Sequence, residues 1–229
     1  MTKDVKILLK RVGVFLLPVF AWACIVLIVD PFNYFNVFSP ISIKVKSESA
    51  QQLNSLLYNT VNFKNNPTNS IIIGDSRIRR LPNGRIKEIT GDTYYTLYSN
   101  AAKLNEIIDL FWFCTEHSKL KNVLIGINFN LYNEYAYANR VADVKKMIEN
   151  PFIYVFNSNT AETTYLCLKN ELLNVSRKEE RNRKEFWDYN IQTIARNHYS
   201  KYKYPDKILE RLQEMSTYCK VKGIKLTIL

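Results

Sequence analysis

The chain has 229 residues, 47% hydrophobic and 23% charged, with only 6 Gly and 7 Pro. Those proportions exclude collagen-like, low-complexity and wholly disordered classes, and the length suits one globular domain with an appendage. Lys and Arg number 32 against 21 Asp and Glu, a net charge of +11 that favours polyanions: nucleic acid, anionic lipid or acidic glycans.

Residues 12–29 (VGVFLLPVFAWACIVLIV) form an uncharged run between Arg11 and Asp30. That is near the length a helix needs to cross a bilayer core, and Pro18 is tolerated in such a helix. Lys3, Lys6, Lys10 and Arg11 outnumber Asp4 on the short flank, so the expected topology keeps Met1 cytoplasmic. Ala21-Trp22-Ala23 has the form of a cleavage site, but the apolar run continues past it, which favours an uncleaved anchor. The expected location is therefore the cell membrane, single-pass, with the main domain extracytoplasmic. Residues 31–229 keep 28 basic and 19 acidic side chains, a net +9. Outside the cytoplasm, that charge either points to envelope polymers or lipid headgroups, more than to nucleic acid, or is simply a solvated surface.

The expected organisation is a stub and anchor over 1–30, a juxtamembrane lead-in over 31–68, and an α/β domain over 69–229. Residues 30–40 are aromatic and turn-forming; residues 41–68 are polar and Asn-rich, ending in the breaker Asn65-Asn66-Pro67. Ser70-Ile71-Ile72-Ile73, closed by Gly74, predicts a buried parallel strand. Residues 93–98 predict a second strand, and Leu104, Ile107, Ile108 and Phe111 fall at helical spacing. Residues 122–126 predict a third strand and 224–229 a fourth. Before the last strand comes a helix with Pro205 in its first turn and Gly223 just past its end. Between 131 and 204 lie Tyr132, Tyr135, Tyr137, Tyr154 and Tyr165, helices near 139–148 and 160–174, a charged run over 177–184, and a glycosylation-type Asn174-Val175-Ser176. The tyrosines admit two readings, a sugar-binding cleft or ordinary helix packing.

Chemistry concentrates at two strand ends. The first strand runs into Gly74-Asp75-Ser76-Arg77, where an elbow exposes a serine hydroxyl; the third runs into Gly126-Ile127-Asn128. If both strands are parallel, these ends share one sheet edge, and Asn128 can aim its amide at an oxyanion formed at Ser76. Asn100 follows the second strand, as a further donor or a helix cap. Arg77, Arg79 and Arg80 stand beside the serine, as contacts for an anionic substrate or as a solvated face. The four cysteines, Cys24, Cys114, Cys167 and Cys219, form no C-x-x-C pair, and His117 and His198 are the two histidines, so no metal and no cofactor is expected.

Gly74-Asp75-Ser76 after an apolar strand, with Gly126-x-Asn128 after another, resembles the SGNH (GDSL-type) hydrolase and acyltransferase superfamily. The upstream anchor adds a similarity to its membrane-anchored bacterial branch of D-alanyl transfer and alginate O-acetyltransferase-like proteins. The resemblance implies a three-layer α/β/α, flavodoxin-like fold with a mostly parallel sheet. It implies O-acyl transfer or ester hydrolysis on a cell-envelope polysaccharide, with a membrane exporter of the acyl donor as a partner. Ser76 matches the nucleophile and Asn128 the oxyanion asparagine; Asn100 stands near a further donor position. Asp75 belongs to the motif and shapes the elbow, while Gly126 and Arg77 would border the substrate. Phe129 departs from the Asp common after the asparagine. The family's late Asp-x-x-His does not occur, so the expectation is a truncated domain whose intact form continues. The competing expectation is an inert glycan-binding or scaffold module of an envelope complex.

Overall fold

Four short strands pair side by side in one parallel sheet: β1 (Ser70–Asp75), β2 (Tyr95–Ser99), β3 (Asn122–Ile125) and β4 (Lys225–Ile228). Their order is β2-β1-β3-β4. The computed structural model describes residues 3–135, 139–173 and 183–229; Tyr137, the 174–176 sequon and most of the 177–184 run lie outside the described residues. All six β1 residues are buried, as a parallel strand covered on both faces requires.

The sheet belongs to one of two compact units, Ser55–Lys146 with Ser176–Leu229. From β1 the chain passes through α3 (Asn83–Thr90) to β2 on one side, then through α4 (Leu104–His117) to β3 on the other. Right-handed crossovers in opposite directions put α3 and α4 on opposite faces. On the α3 face, Ile72, Ile78, Tyr94 and Tyr98 form a buried cluster against Leu81, Ile86 and Leu124. On the other, α4 packs on β1 and beside α10 (Ile208–Lys222), with Phe111 and Trp112 edge-on to Tyr218. Arg211 of α10 donates to Asp109 of α4 at 2.6 Å. Helix α10 begins three residues later than Pro205 predicts, after Lys207 in a left-handed conformation; Gly223 caps it at φ 67° as expected.

A side chain explains both glycines at the strand ends. Ile78, on the 3-10 turn Ile78–Arg80, fills the space above them. A Cβ on Gly74 would lie 2.8 Å from Ile78 Cγ2, and one on Gly126 would lie 2.5 Å from it. Gly126→Ala is therefore expected to destabilise this unit by about 1–3 kcal/mol through overpacking. Adding Ile78→Ala should return part of that loss. Thermal melts of the two single variants and the double variant check this, and simple additivity would contradict the contact.

Residues 41–68, expected as a lead-in, hold a helix, α2 (Ile43–Asn65), broken at Asn54 where φ is −145° and ψ 81°. Its second half belongs to the sheet unit and buries Leu56, Leu57, Val61 and Phe63 together with Ser55, Asn59 and Thr60. Asn59 Nδ2 donates to the Tyr98 carbonyl at 3.3 Å, and Tyr95 Oη donates to the Asn59 carbonyl at 3.0 Å. A helix face buried partly through hydrogen-bonded polar side chains carries a weak apolar signal, which is why the sequence reads as a polar linker.

The other unit is Met1–Asn54 with Met147–Val175. Its α1 (Lys3–Val29) is long and apolar enough to span a membrane, and Pro18 stays within it. The last turns of α1 pack on α7 (Ser158–Leu173), where Val29 and Ile41 meet Cys167. Trp22 Nε1 donates to the Val155 carbonyl at the end of α6 (Pro151–Val155), at 3.0 Å. The buried Asp30 carboxylate accepts the backbone N–H groups of Tyr34, Phe35 and Asn36, turning the chain out of the helix. Burial nonetheless pushes its pKa up against those bonds and the Lys46 ammonium.

Candidate functional site

In an open parallel sheet, ligands collect at the carboxyl ends of strands where the chain reverses its direction of travel across the sheet. Here β2 lies on one side of β1 and β3 on the other, so that point falls between β1 and β3. Register pairs Ile73 with Ile125, which sets Asp75-Ser76 and Gly126-Ile127-Asn128 side by side.

A carboxylate ties the two motifs together. Asn128 Nδ2 donates to Asp75 Oδ2 at 3.0 Å. Asp75 Oδ1 accepts the Arg77 backbone N–H at 2.9 Å, and Arg77 Nε lies 3.3 Å from Oδ2. Asp75 is buried, and its two carboxylate oxygens hold the elbow through these bonds. Asn128 Oδ1 accepts the Asn130 N–H at 3.0 Å and caps the 3-10 turn Phe129–Tyr132. One of the two Asn128 amide hydrogens is therefore committed to Asp75. Gly126, expected to border substrate, gives its N–H to the Ile73 carbonyl at 2.9 Å and packs against Ile78.

Ser76 is exposed and lines two adjoining hollows, both also lined by Arg77 and Trp187. One, about 370 Å³, takes its remaining strand-end wall from Ala101, Ala102, Lys103 and Asn130. Its far wall comes from α8 (Arg183–Tyr189), the π-helical stretch Asn190–Ala195, and α9 (Arg196–Ser200). The other, about 750 Å³, adds Arg79, Arg80 and Phe186. Arg79 also lies over the Tyr98 ring, 5.8 Å from its centroid.

His198 shares the smaller hollow with Ser76. Burial lowers its pKa and the nearby Lys103 lowers it further. Lys103 is itself lowered, chiefly by burial; Glu106 opposes that shift and Arg140 adds to it. His117 stands elsewhere: it ends α4, stacks on Phe113 at 4.2 Å and bonds its carbonyl at 2.8 Å. Its neighbour Ser118 donates to Thr68, which precedes β1, so His117 lies at the amino edge of the sheet.

Asn100 is not brought to either hollow; its carbonyl accepts from Arg140 Nη1 at 2.8 Å. Arg140, the first residue of α5 (Arg140–Glu149), holds the whole β2–α4 loop. Its guanidinium makes bonds of 2.8 and 2.6 Å to the fully buried Glu106 carboxylate, and Glu106 Oε2 accepts the Lys103 N–H at 3.0 Å. Within the loop held by this clamp, Ala101 sits at φ 51° and Lys103 lies on the cavity wall.

The tyrosines divide. Tyr132 stacks on Tyr204 and Tyr135 approaches Lys201 and His198, whereas Tyr154 is buried in the other unit against Tyr34. Neither Lys103 nor Trp187 stood out in the sequence, and the helical spacing of Trp187, Ile191, Ile194 and His198 was the one signal for that wall. Among the described residues no group of three His, Cys, Asp or Glu side chains is placed to hold a metal ion. No family model, no curated protein and no solved structure matches this chain.

Proposed function

We propose that the sheet unit carries out serine-dependent O-acyl transfer or ester hydrolysis on a cell-envelope polysaccharide or related polymer, in an SGNH-like manner. The observation that carries this reading is the exposed Ser76 on one cavity with His198, at the carboxyl ends of β1 and β3. In the proposed reaction, Ser76 Oγ attacks the ester carbonyl carbon while His198 takes its proton. The bond to the alcohol oxygen breaks, and the departing alkoxide receives that proton. An acceptor hydroxyl, or water, then attacks the acyl-serine, and its proton returns through His198 to Ser76 Oγ. Loss of serine-directed labelling and turnover in Ser76→Ala is the deciding experiment.

The anchor supports an extracytoplasmic location, with Met1 in the cytoplasm, within reach of envelope acceptors and of a membrane exporter of the acyl donor. A cysteine introduced at exposed Ile89 should then react with a membrane-impermeant maleimide in intact cells, above the unsubstituted chain. Reaction only after permeabilisation would reverse the topology.

Two observations favour a second reading, an inert glycan-binding or scaffold module: Asn128 is partly spent on Asp75, and Asn100 does not line the cavity. Labelling of Ser76 by a phosphonate counts against it.

A further inference from the structure

The far wall of the smaller cavity is a single helical stripe. Its apolar members are Trp187, Ile191, Ile194, Ala195 and Tyr199, with Asn190 and His198 between them. These recur every three or four residues, so they share one face, and 187 to 199 covers at most about 18 Å of helix. None of α8, the π-helical stretch or α9 buries a residue among those described, and Ile191 and Ile194 stay 63% and 47% exposed despite lining the cavity. Apolar side chains held open beside an exposed serine leave a slot whose solvation is unfavourable until something apolar fills it. The opposite wall is compact, with Ala101 and Ala102 offering only methyl groups. Beside the serine, Arg77 is paired with Asp75, and Lys103 also lines the slot.

From this arrangement we infer that the acyl group handled at Ser76 is an aliphatic chain of six or more carbons, laid along the Trp187–Tyr199 stripe with its carbonyl at Ser76. The inference rests on the proposed role of Ser76 and deepens it: an acetyl-sized group would leave the stripe uncovered. The chain's carrier is either a bilayer lipid or a water-borne ester, and the chemistry of the slot is the same for both.

The test is made on the full chain in nanodiscs, with ethyl, hexyl and hexadecyl fluorophosphonates. Each forms a bond from Ser76 Oγ to phosphorus and expels fluoride, and the serine proton passes to a base. Burial favours a ligand by about fourfold per methylene when complete, so a half-covering slot should make hexyl label Ser76 at least about tenfold faster than ethyl. In the double variant Ile191→Ser, Ile194→Ser the hexyl-to-ethyl ratio should fall towards one; both sites are too exposed for the change to unfold the protein. Equal rates for ethyl and hexyl, or a ratio the double variant does not alter, overturn the inference and leave Ser76 as a nucleophile for short acyl groups. No labelling of Ser76 by any of the three removes the nucleophile reading itself, and the inference with it. Hexadecyl probe dissolved beforehand in the bilayer separates the carriers: rapid labelling assigns the chain to lipid, and slow labelling beside fast aqueous hexyl assigns it to a water-borne ester.

Discussion

Ser76→Ala is expected to lower acyl transfer or esterase turnover by about 10³–10⁶-fold and to abolish phosphonate labelling, leaving the fold intact. Stability should hold because the side chain is exposed and makes no hydrogen bond among the described residues. A matching melt with retained activity would mean that the cavity does other chemistry or none. The pH profile gives an independent check on the base. His198 is held below its ordinary pKa of 6.5, so its neutral form dominates at pH 7. Turnover should rise with pH along a limb centred below 6.5 and be level by neutrality, and His198→Gln should cost about 10²–10⁴-fold and remove that limb. The linkage has the same sign: between the folded and unfolded pKa values the unfolded chain binds more protons, so His198 lowers stability as pH falls through 6.5. The groups facing the imidazole are Lys103, Tyr135 and Tyr199. An acid limb unchanged in the variant would assign the titration to another group.

Arg140→Ala should produce the largest loss of stability among the polar substitutions. It strips a fully buried Glu106 carboxylate of both guanidinium bonds and removes the bonds to the Asn100 and Ala101 carbonyls. An uncompensated buried charge costs about 3–5 kcal/mol, and the partly solvated position of Arg140 admits water, so about 2–3 kcal/mol is expected. At about 2–4 °C per kcal/mol for a chain of this size, the melting temperature should fall by about 4–12 °C. Arg140→Lys should recover little of it, because an ammonium does not reproduce the two-pronged geometry. An unchanged melt for Arg140→Ala would show that the β2–α4 loop is held by other means. Since Lys103 lies on that loop and on the cavity wall, labelling of Ser76 should slow in the same variant.

How much of this was legible in the sequence differs from element to element. The first strand was readable because Ser70-Ile71-Ile72-Ile73 is a short apolar run, buried throughout, whereas the other three are only partly buried and read from shorter apolar stretches between turn signals. Helix α4 was readable because Leu104, Ile107, Ile108 and Phe111 are all fully or nearly fully buried, so period and burial agree. Helix α2 was not, because Ser55, Asn59 and Thr60 share its buried face and hydrogen bonding replaces hydropathy there. The helices over 183–200 escaped notice because they bury no residue among those described, and their apolar stripe lines a cavity and not a core.

The chain by itself determined the apolar N-terminal helix, the alternation of strands and helices, and the two polar turns carrying Ser76 and Asn128. These are local properties, set by composition, hydrophobic period and turn chemistry over a few residues. Tertiary structure alone decided that β1 and β3 are neighbours and that Asn128 spends an amide hydrogen on Asp75. It also decided that Gly126 makes room for Ile78 and that His198, not His117, lines a cavity together with Ser76. Each of these joins residues 48 to 122 positions apart, and a local pattern carries no information about which distant segment burial and hydrogen bonding will bring alongside it.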